Sequence, residues 1–217
     1  MNYVKFRESS IIVKIFTEDF GLQSYIVNGV RSSKGRGKIA LFQPLTLLEL
    51  VVYKNDQKSI QRISETKCER PFNSIPINVK KSTIALFWAE LLSKTIKNEG
   101  LEDREKFAFI RNQLITLDDA DSDLESFPIS FCIEFAKYLG FEIESGLNLV
   151  SDYGYGNLTQ EGELVAYLEA IINHKAVPKT SRALRTRALV CLLSYYEIHL
   201  EDFKKMKSIE VLKQLFS

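Results

Sequence analysis

The chain has 217 residues, of which 45% are hydrophobic and 26% charged, with 29 Lys and Arg against 28 Asp and Glu. This composition excludes a disordered or collagen-like chain and supplies enough apolar residues for one full core or two small ones. The apolar runs fall well short of the roughly 20 residues that cross a bilayer, which excludes a transmembrane helix. The N-terminus lacks the apolar segment of a secretory signal, so the chain is expected in the cytoplasm.

Short antiparallel strands are predicted for the first 70 residues. β-branched and aromatic residues fill positions 10–16, and a turn at 17–21 separates them from a second alternating run at 22–28, which predicts a hairpin. Two later runs and a short N-terminal stub also have strand character, and they cover residues 45–53, 59–65 and 3–7. Four short strands and a stub fit an OB-like antiparallel β-barrel better than a sandwich.

After Pro71 and Pro76 the apolar residues follow helical spacing. Helices are predicted over 78–98, through 107–117, and over 124–139, 160–173, 181–200 and 208–216, with an irregular loop over 145–159. The apolar stripe that begins at Phe107 is expected to pack on the helix that Asn78 caps. The predicted fold class is therefore α+β, with an OB-fold nucleic-acid-binding domain over 1–72 and an all-α helical domain over 73–217.

An acidic segment at 118–123 contains four aspartates. A calcium-binding EF-hand loop would need a glycine at its sixth position and a glutamate at its twelfth, and neither is present. The segment is therefore expected to be a solvated helix N-terminus rather than a metal site.

The strongest functional signal is a basic loop between the predicted strands. No acidic residue occurs between Phe20 and Leu48, and residues 1–70 hold 12 Lys and Arg against 7 Asp and Glu. Cations held on a rigid β-framework are suited to phosphates. The candidate nucleic-acid-binding residues are Arg31, Lys34, Arg36 and Lys38. A solvated surface loop is the alternative interpretation.

Aromatic residues of the first domain are candidates for stacking on unpaired bases. Tyr25, Phe42 and Tyr53 have the required ring systems. Aromatic residues of small barrels more often fill the interior, and the sequence alone does not assign each ring to a face.

A second basic cluster occurs in the C-terminal half, where no Asp or Glu is present from Ala170 to Tyr196. Its members are Lys175, Lys179, Arg182, Arg185 and Arg187. With Ser181 as the helix cap, Arg182 and Arg185 share one helix face. This cluster either extends the phosphate track of the barrel or is the solvated face of a core helix.

Catalytic and metal-binding motifs are missing from the sequence. Cys68, Cys132 and Cys191 are more than fifty residues apart, and His174 and His199 are isolated, so no metal site is predicted. No P-loop lysine, HExxH helix or nucleophile elbow occurs. The chain is therefore not expected to be an enzyme.

Several segments together resemble one family. They are the hairpin turn Thr17–Gly21, the exit Gly29-Val30-Arg31 into the basic loop, the helix end Tyr138-Leu139-Gly140-Phe141 and the closing segment 207–212. They resemble the RecO family of bacterial recombination mediators. The resemblance implies an OB fold followed by an α-helical domain, with a role in DNA repair and recombination close to the nucleoid.

The same resemblance implies partners. Members of that family bind single- and double-stranded DNA, anneal complementary strands and, with RecR, assist loading of the RecA recombinase onto DNA coated with single-stranded DNA-binding protein (SSB). They also contact the acidic C-terminal tail of SSB. The second basic cluster is the candidate for that contact, because a basic, apolar-floored groove could accept the tail.

Two departures from the family pattern bear on these expectations. Many relatives have a four-cysteine zinc site after the Leu-Gly-Phe-like helix end, but residues 141–163 contain no cysteine, so no zinc is expected. The first strand is expected to be shortened, because the chain starts seven residues before Glu8, and this would leave an open barrel edge. The alternative function is a protein-interaction scaffold that docks a partner through its helical domain and does not bind DNA.

Overall fold

The computed structural model describes residues 3–32, 37–97, 100–153, 158–201, 203 and 206–215. The chain divides into two compact units. The first, the sheet unit, comprises Met1–Ile77 and Ile96–Asp118, and the second, the helical unit, comprises Asn78–Thr95 and Asp119–Ser217. No helix within the described residues is long and apolar enough to cross a membrane.

Five strands in the described part of the sheet unit form one sheet. They are β1 (Tyr3–Phe6), β2 (Ser10–Thr17), β3 (Gly21–Val27), β4 (Leu48–Tyr53) and β5 (Ile60–Cys68). The strand order is β1-β2-β3-β5-β4, with β3 and β5 parallel and the other neighbours antiparallel. This crossover is the Greek-key arrangement of a partly open OB-like barrel, so the predicted fold class is confirmed.

Alternation along the strands fills the barrel interior. Ile11 and Val13 of β2, Tyr25 of β3 and Ile63 of β5 are buried together, because every second side chain of a strand points to the same face. A 3-10 helix, Lys38–Phe42, adds Phe42 to this core.

Strand β4 begins at Leu48 rather than at the predicted Leu45. Leu45 has a φ of 65°, and this left-handed backbone interrupts an extended strand before the regular pairing starts. The apolar run from Leu45 to Leu47 is therefore outside the strand although its composition favours one.

Helix α2 (Arg104–Asp119) belongs to the sheet unit as far as Asp118. The ring of Phe107 lies 6.1 Å from that of Phe16 in β2, and the Nε of Arg111 donates to Glu69 at 2.8 Å. This helix was expected to pack on helix 78–98, but its residues group with the sheet unit, whereas residues 78–95 group with the helical unit. A periodic stripe identifies the buried face of a helix but not the partner that covers it.

The first unit therefore differs in extent from the predicted OB domain, which covered residues 1–72. It continues to Ile77 and includes Ile96–Asp118, while residues 78–95 belong to the helical unit.

The acidic segment begins with a buried aspartate rather than a solvated one. Asp118 is 4% exposed, and its carboxylate accepts hydrogen bonds from the backbone N–H groups of Asn73, Ser74 and Ile75, each at 2.9 Å. Burial raises the pKa of Asp118, but these backbone bonds and the Ser74 hydroxyl outweigh that effect, so the pKa is lowered overall. The carboxylate holds the turn at 73–75 against α2.

The described helices of the helical unit form its core. They are α1 (Val79–Thr95), α3 (Phe127–Tyr138), α4 (Gly146–Tyr153), α5 (Leu158–Ile172), α6 (Arg182–His199) and α7 (Ser208–Leu215). The indole of Trp88 in α1 stacks on Phe131 of α3 at 4.4 Å. Asn78 caps α1 as predicted, its Oδ1 accepting from the N–H of Lys80 at 3.0 Å and of Lys81 at 3.2 Å.

Helix α4 lies where an irregular loop was predicted. Gly, Asn and Ser have low helix propensity, but Leu149 and Val150 are buried. The carboxylate of Glu169 in α5 accepts from the N–H of Gly146 at 2.7 Å and so caps α4 from another helix. That long-range cap leaves no local signal at 145–153.

Candidate nucleic-acid interface

A groove of about 670 Å³ lies on the sheet unit and includes outward-facing residues of β2, β3 and β5. Ile12 of β2 pairs with Ile26 of β3, which in turn is next to Arg62 of β5. These residues alternate with Ile11, Val13 and Tyr25 of the core, so they point outward. The strand 2–3 surface with its adjoining loops is where OB folds bind oligonucleotides. We call this surface the groove face.

The floor of the groove is apolar and accessible. Tyr53 at the end of β4 is 65% exposed and Ile60 at the start of β5 is 39% exposed. The remaining apolar lining residues are Phe6, Ile12 and Ile26. Exposed apolar and aromatic surface of this kind suits the faces of unpaired bases.

Cations surround this floor. Arg7 is in the β1–β2 turn, Lys54 and Lys58 are in the β4–β5 loop, and Arg62 projects from β5. Among the described residues that line the groove, none is acidic. The groove therefore combines an apolar floor with a positive rim.

Lys54 of the rim has internal partners. The Nζ of Lys54 lies 3.3 Å from Asp56 and 4.9 Å from the centre of the Phe20 ring. Lys54 and Asp56 are both exposed, and a solvated ion pair of this kind contributes little and exchanges readily for a phosphate.

Arg31 of the predicted basic loop lies beside the groove face. Its side chain is exposed, and its Nη1 donates to the backbone carbonyl of Arg7 at 3.2 Å. Its backbone N–H donates to the carbonyl of Ser9 at 2.9 Å. These two bonds place the Arg31 guanidinium next to the Arg7 edge of the groove.

Of the other three predicted loop cations, Lys38 is within the described residues. Lys38 is exposed at the start of the 3-10 helix that carries Phe42 into the barrel core. Lys34 and Arg36 lie outside the described residues.

Only one of the three candidate stacking residues is available to a base. Tyr25 is 1% exposed and Phe42 is 4% exposed, and both fill the barrel interior. Burial raises the pKa of the Tyr25 phenol, although a hydrogen bond with Thr17 partly offsets this. Of the three, Tyr53 is the one exposed to solvent.

Most of the groove face was not predicted from the sequence. Its cations are spread over residues 7–62 and become neighbours only through strand pairing. Ile12 and Ile26 each have apolar neighbours on both sides in the chain, so the sequence does not distinguish the outward side chain from the inward ones. The available signal was the adjacency of two apolar residues, Ile11 and Ile12, in one strand, since two neighbours cannot face the same core.

The structure brings two members of the second basic cluster together. Ser181 caps α6 by accepting from the N–H of Leu184 at 3.2 Å. Arg182 and Arg185 then line a small cavity of about 30 Å³ with a mainly apolar wall, formed by Pro128, Ile129, Leu189 and Leu212.

The two arginines that line this cavity differ in exposure and in hydrogen bonding. Arg182 is exposed, whereas the Nη1 of Arg185 donates to the carbonyl of Thr180 at 2.6 Å. Glu125 also lines the cavity and pairs with Lys80 at 3.2 Å. A bond to its own backbone N–H lowers the pKa of Glu125 against the effect of burial, and the charges of Lys80 and Arg185 lower it further.

The remaining members of the cluster are separate from this cavity. Lys175 and Lys179 are exposed in the segment between α5 and α6. Arg187 is partly buried beside Cys191, whose pKa burial raises to about 11 although the arginine charge opposes the shift.

Comparison with known proteins finds one family model and several relatives that share the same name. The family model described as "Recombination protein O N terminal" matches residues 1–72. A protein named DNA repair protein RecO from Flavobacterium psychrophilum is 36% identical, over 99% of this chain and 95% of its own length. Proteins of the same name from Flavobacterium johnsoniae and Bacteroides fragilis are 33% and 31% identical, over 99% and 100% of this chain and 95% and 96% of theirs.

Proposed function

The chain belongs to the RecO family of DNA repair proteins, and from this premise we propose that it binds DNA through the groove face of its sheet unit. One observation carries the proposal. The groove combines an apolar floor with four cations, and no described lining residue is acidic.

Each part of the groove face has a distinct role in the proposed complex. Cations at the rim neutralise phosphates and release counterions, which gives affinity without sequence preference. The exposed ring of Tyr53 stacks on an unpaired base. Arg31, held against Arg7, extends the phosphate track beyond the groove. Lys34, Arg36 and Lys38 of the basic loop remain proposed phosphate contacts.

Both single- and double-stranded DNA fit this arrangement. A duplex engages the rim through its phosphates, whereas a single strand adds base contacts on the floor. We further propose that the chain anneals complementary strands, because its Arg and Lys side chains lower the repulsion between the two phosphate backbones. In this proposal it also assists loading of RecA onto SSB-coated DNA, together with RecR.

The helical unit is the proposed contact for the acidic C-terminal tail of SSB. Arg182 is exposed beside the apolar wall of the small cavity, which suits a peptide that has both acidic and apolar groups. Arg185 already donates to Thr180 and is assigned to holding the start of α6.

Peptide titration tests this second contact. Arg182→Ala is expected to weaken binding of a labelled SSB-tail peptide, while Arg185→Ala is expected to lower the melting temperature as well. Lys137→Ala, which also removes one exposed cation of the helical unit, is the matched control. Equal peptide binding by Arg182→Ala and Lys137→Ala would place the contact elsewhere.

The proposed activity includes no zinc ion. Many relatives use four cysteines after the helix end at Gly140, and residues 141–163 of this chain contain none.

Two variants of one strand test the DNA-binding proposal. Arg62→Ala and Lys67→Ala each remove one exposed cation of β5, but only Arg62 lines the groove. Fluorescence anisotropy with a labelled single-stranded oligonucleotide is expected to show weaker binding for Arg62→Ala and nearly unchanged binding for Lys67→Ala. Equal effects would argue against the groove, and a parent chain without DNA affinity would favour the scaffold alternative.

A further inference from the structure

The side chain of Gln61 is buried beneath the β4–β5 loop and holds that loop by its backbone. Gln61 is 7% exposed. Its Oε1 accepts from the N–H of Asn55 at 2.7 Å, and its Nε2 donates to the carbonyls of Asn55 at 3.0 Å and of Lys58 at 2.6 Å. The amide thus makes three bonds to a single loop.

A polar residue at this position is not explained by barrel packing. Gln61 pairs in register with Tyr25, and Ile63 two residues later is in the core, so position 61 belongs to the inward row of β5. A hydrophobic side chain would fill that row without needing hydrogen-bond partners. A buried amide is tolerated only where its polar atoms are paired, and here every partner is a loop backbone atom.

The loop that Gln61 holds carries two of the groove's four cations. Residues 54–59 are all exposed, so side-chain packing does little to fix their conformation. Within the loop, the N–H of Lys58 donates to the carbonyl of Asn55 at 3.0 Å, which closes a turn around the point that Gln61 anchors. Lys54 and Lys58 extend from either side of this turn into the groove lining.

We propose that Gln61 is a positioning residue for DNA binding, which fixes the β4–β5 loop so that Lys54 and Lys58 meet phosphates of the same bound strand. This inference rests on the proposed function of the groove face. Without the three bonds the loop samples more conformations, and both ammonium groups lose their fixed distance from the floor.

A double-mutant cycle tests this role. Gln61→Met keeps a side chain of similar length and removes all three bonds, and Lys54→Ala/Lys58→Ala removes the two cations. Affinity for a labelled single-stranded oligonucleotide is measured from 50 to 200 mM salt for the parent, both variants and their combination. Gln57→Ala changes an exposed side chain of the same loop and is the matched control.

The expected result follows from counterion release. Two phosphate contacts on a single strand contribute about 1.4 to the slope of log affinity against log salt. Gln61→Met is expected to lower the slope by up to this amount. Between 50 and 200 mM salt, the parent should then lose up to about 7-fold more affinity than Gln61→Met does. Removing both lysines from Gln61→Met should then change affinity by less than about twofold.

The cycle separates positioning from a general loss of stability. A destabilised barrel would make the effects of Gln61→Met and of the lysine changes add, whereas positioning makes them overlap. If Gln61→Met does not fold, Gln61→Leu replaces it, because a smaller apolar side chain also removes all three bonds and adds no charge to the groove.

Two outcomes would overturn the inference while leaving the proposed function intact. One is a folded Gln61 variant with the slope of the parent. The other is a loss of DNA affinity on removing both lysines that is as large in the Gln61 variant as in the parent. A parent chain that does not bind the oligonucleotide would instead remove the proposed function together with the inference.

Discussion

The carbonyl oxygen of Leu101 occupies the space that a side chain at Gly21 would need. A Cβ at Gly21 would lie 1.8 Å from that oxygen, and Gly21 also has a φ of 59°. The N–H of Gly100 donates to the carbonyl of Leu22 at 3.0 Å, which draws the two segments together. This contact joins the start of β3 to the segment that leads into α2.

Replacing Gly21 is therefore expected to disrupt the sheet unit. Gly21→Ala should lower the free energy of unfolding by more than about 3 kcal/mol, because a backbone clash adds to the left-handed strain. Gly29→Ala is the control: its φ is 70°, and its nearest neighbour to a Cβ is 4.0 Å away. Denaturant unfolding of Gly29→Ala should show a loss of only about 1 kcal/mol in the free energy of unfolding. Equal losses for the two variants would contradict the close approach of the Leu101 carbonyl to Gly21.

Asp118 is expected to make the sheet unit sensitive to acid. Its pKa is lowered on folding from the ordinary value of 3.8, so the stabilisation is present at neutral pH and is lost as pH falls through the folded pKa. Asp118→Asn should lower the free energy of unfolding by about 1.5 to 3 kcal/mol at pH 7, since three backbone donors lose a charged acceptor.

Unfolding measured at several pH values checks this prediction. The difference between the parent and Asp118→Asn should shrink as pH falls below about 3.8, where the unfolded chain begins to bind the proton, and should be smallest below the lowered pKa of the folded state. Asp121→Asn, at an exposed position of the same segment, should match the parent throughout. A constant difference down to low pH would show that charge is not the cause.

Tyr53 is expected to distinguish single strands from duplexes. Tyr53 is 65% exposed and lines the groove, and stacking on a base contributes about 1 to 3 kcal/mol. Tyr53→Ala should weaken binding of a single-stranded oligonucleotide roughly 5- to 150-fold and affect a duplex much less, because paired bases are not accessible. Val51→Ala in the same strand, 55% exposed and outside the groove lining, is the control. Equal losses for both DNA forms would exclude stacking.

Glu90 is expected to hold α7 in place. Its carboxylate accepts from the backbone N–H groups of Lys207 at 2.9 Å and Ser208 at 2.8 Å, and from the Ser208 hydroxyl at 2.6 Å. Burial raises the pKa of Glu90, but the bonds from Ser208 and Lys207 outweigh it and lower the pKa overall. The side chain of one helix thus caps the N-terminus of another.

Removing this cap should loosen α7 before the rest of the helical unit. Glu90→Ala is expected to cost about 1 to 2 kcal/mol and to speed hydrogen exchange at residues 208–215, while α3 stays protected. Glu197→Ala, on the exposed face of α6, is the control. Unchanged exchange in α7 would contradict the cap.

Local signals in the sequence predicted the strands and most helices. Strand alternation placed β2, β3 and β5, and the caps Asn78 and Ser181 placed the starts of α1 and α6. These signals depend on neighbours within a few residues, so they can be read directly from the chain.

Features that depend on distant residues were missed. The N-terminus of helix α4 is capped by the distant Glu169. The burial of Asp118 depends on the turn at 73–75, to which its carboxylate is bonded. The groove face joins Arg7 to Lys58 and Arg62 through strand pairing alone. The basic loop was visible because its cations are adjacent in sequence, whereas the groove's cations become adjacent only in the folded sheet.

The salt dependence of DNA binding tests the central claim most directly. The parent is compared with a variant in which the groove cations Arg7, Lys54, Lys58 and Arg62 are all replaced by Gln, using anisotropy of a labelled single strand. Four lost phosphate contacts should lower the slope of log affinity against log salt by about 2.8, with the melting temperature nearly unchanged because these side chains are exposed. A variant that keeps the slope and affinity of the parent would show that DNA binds elsewhere on the chain.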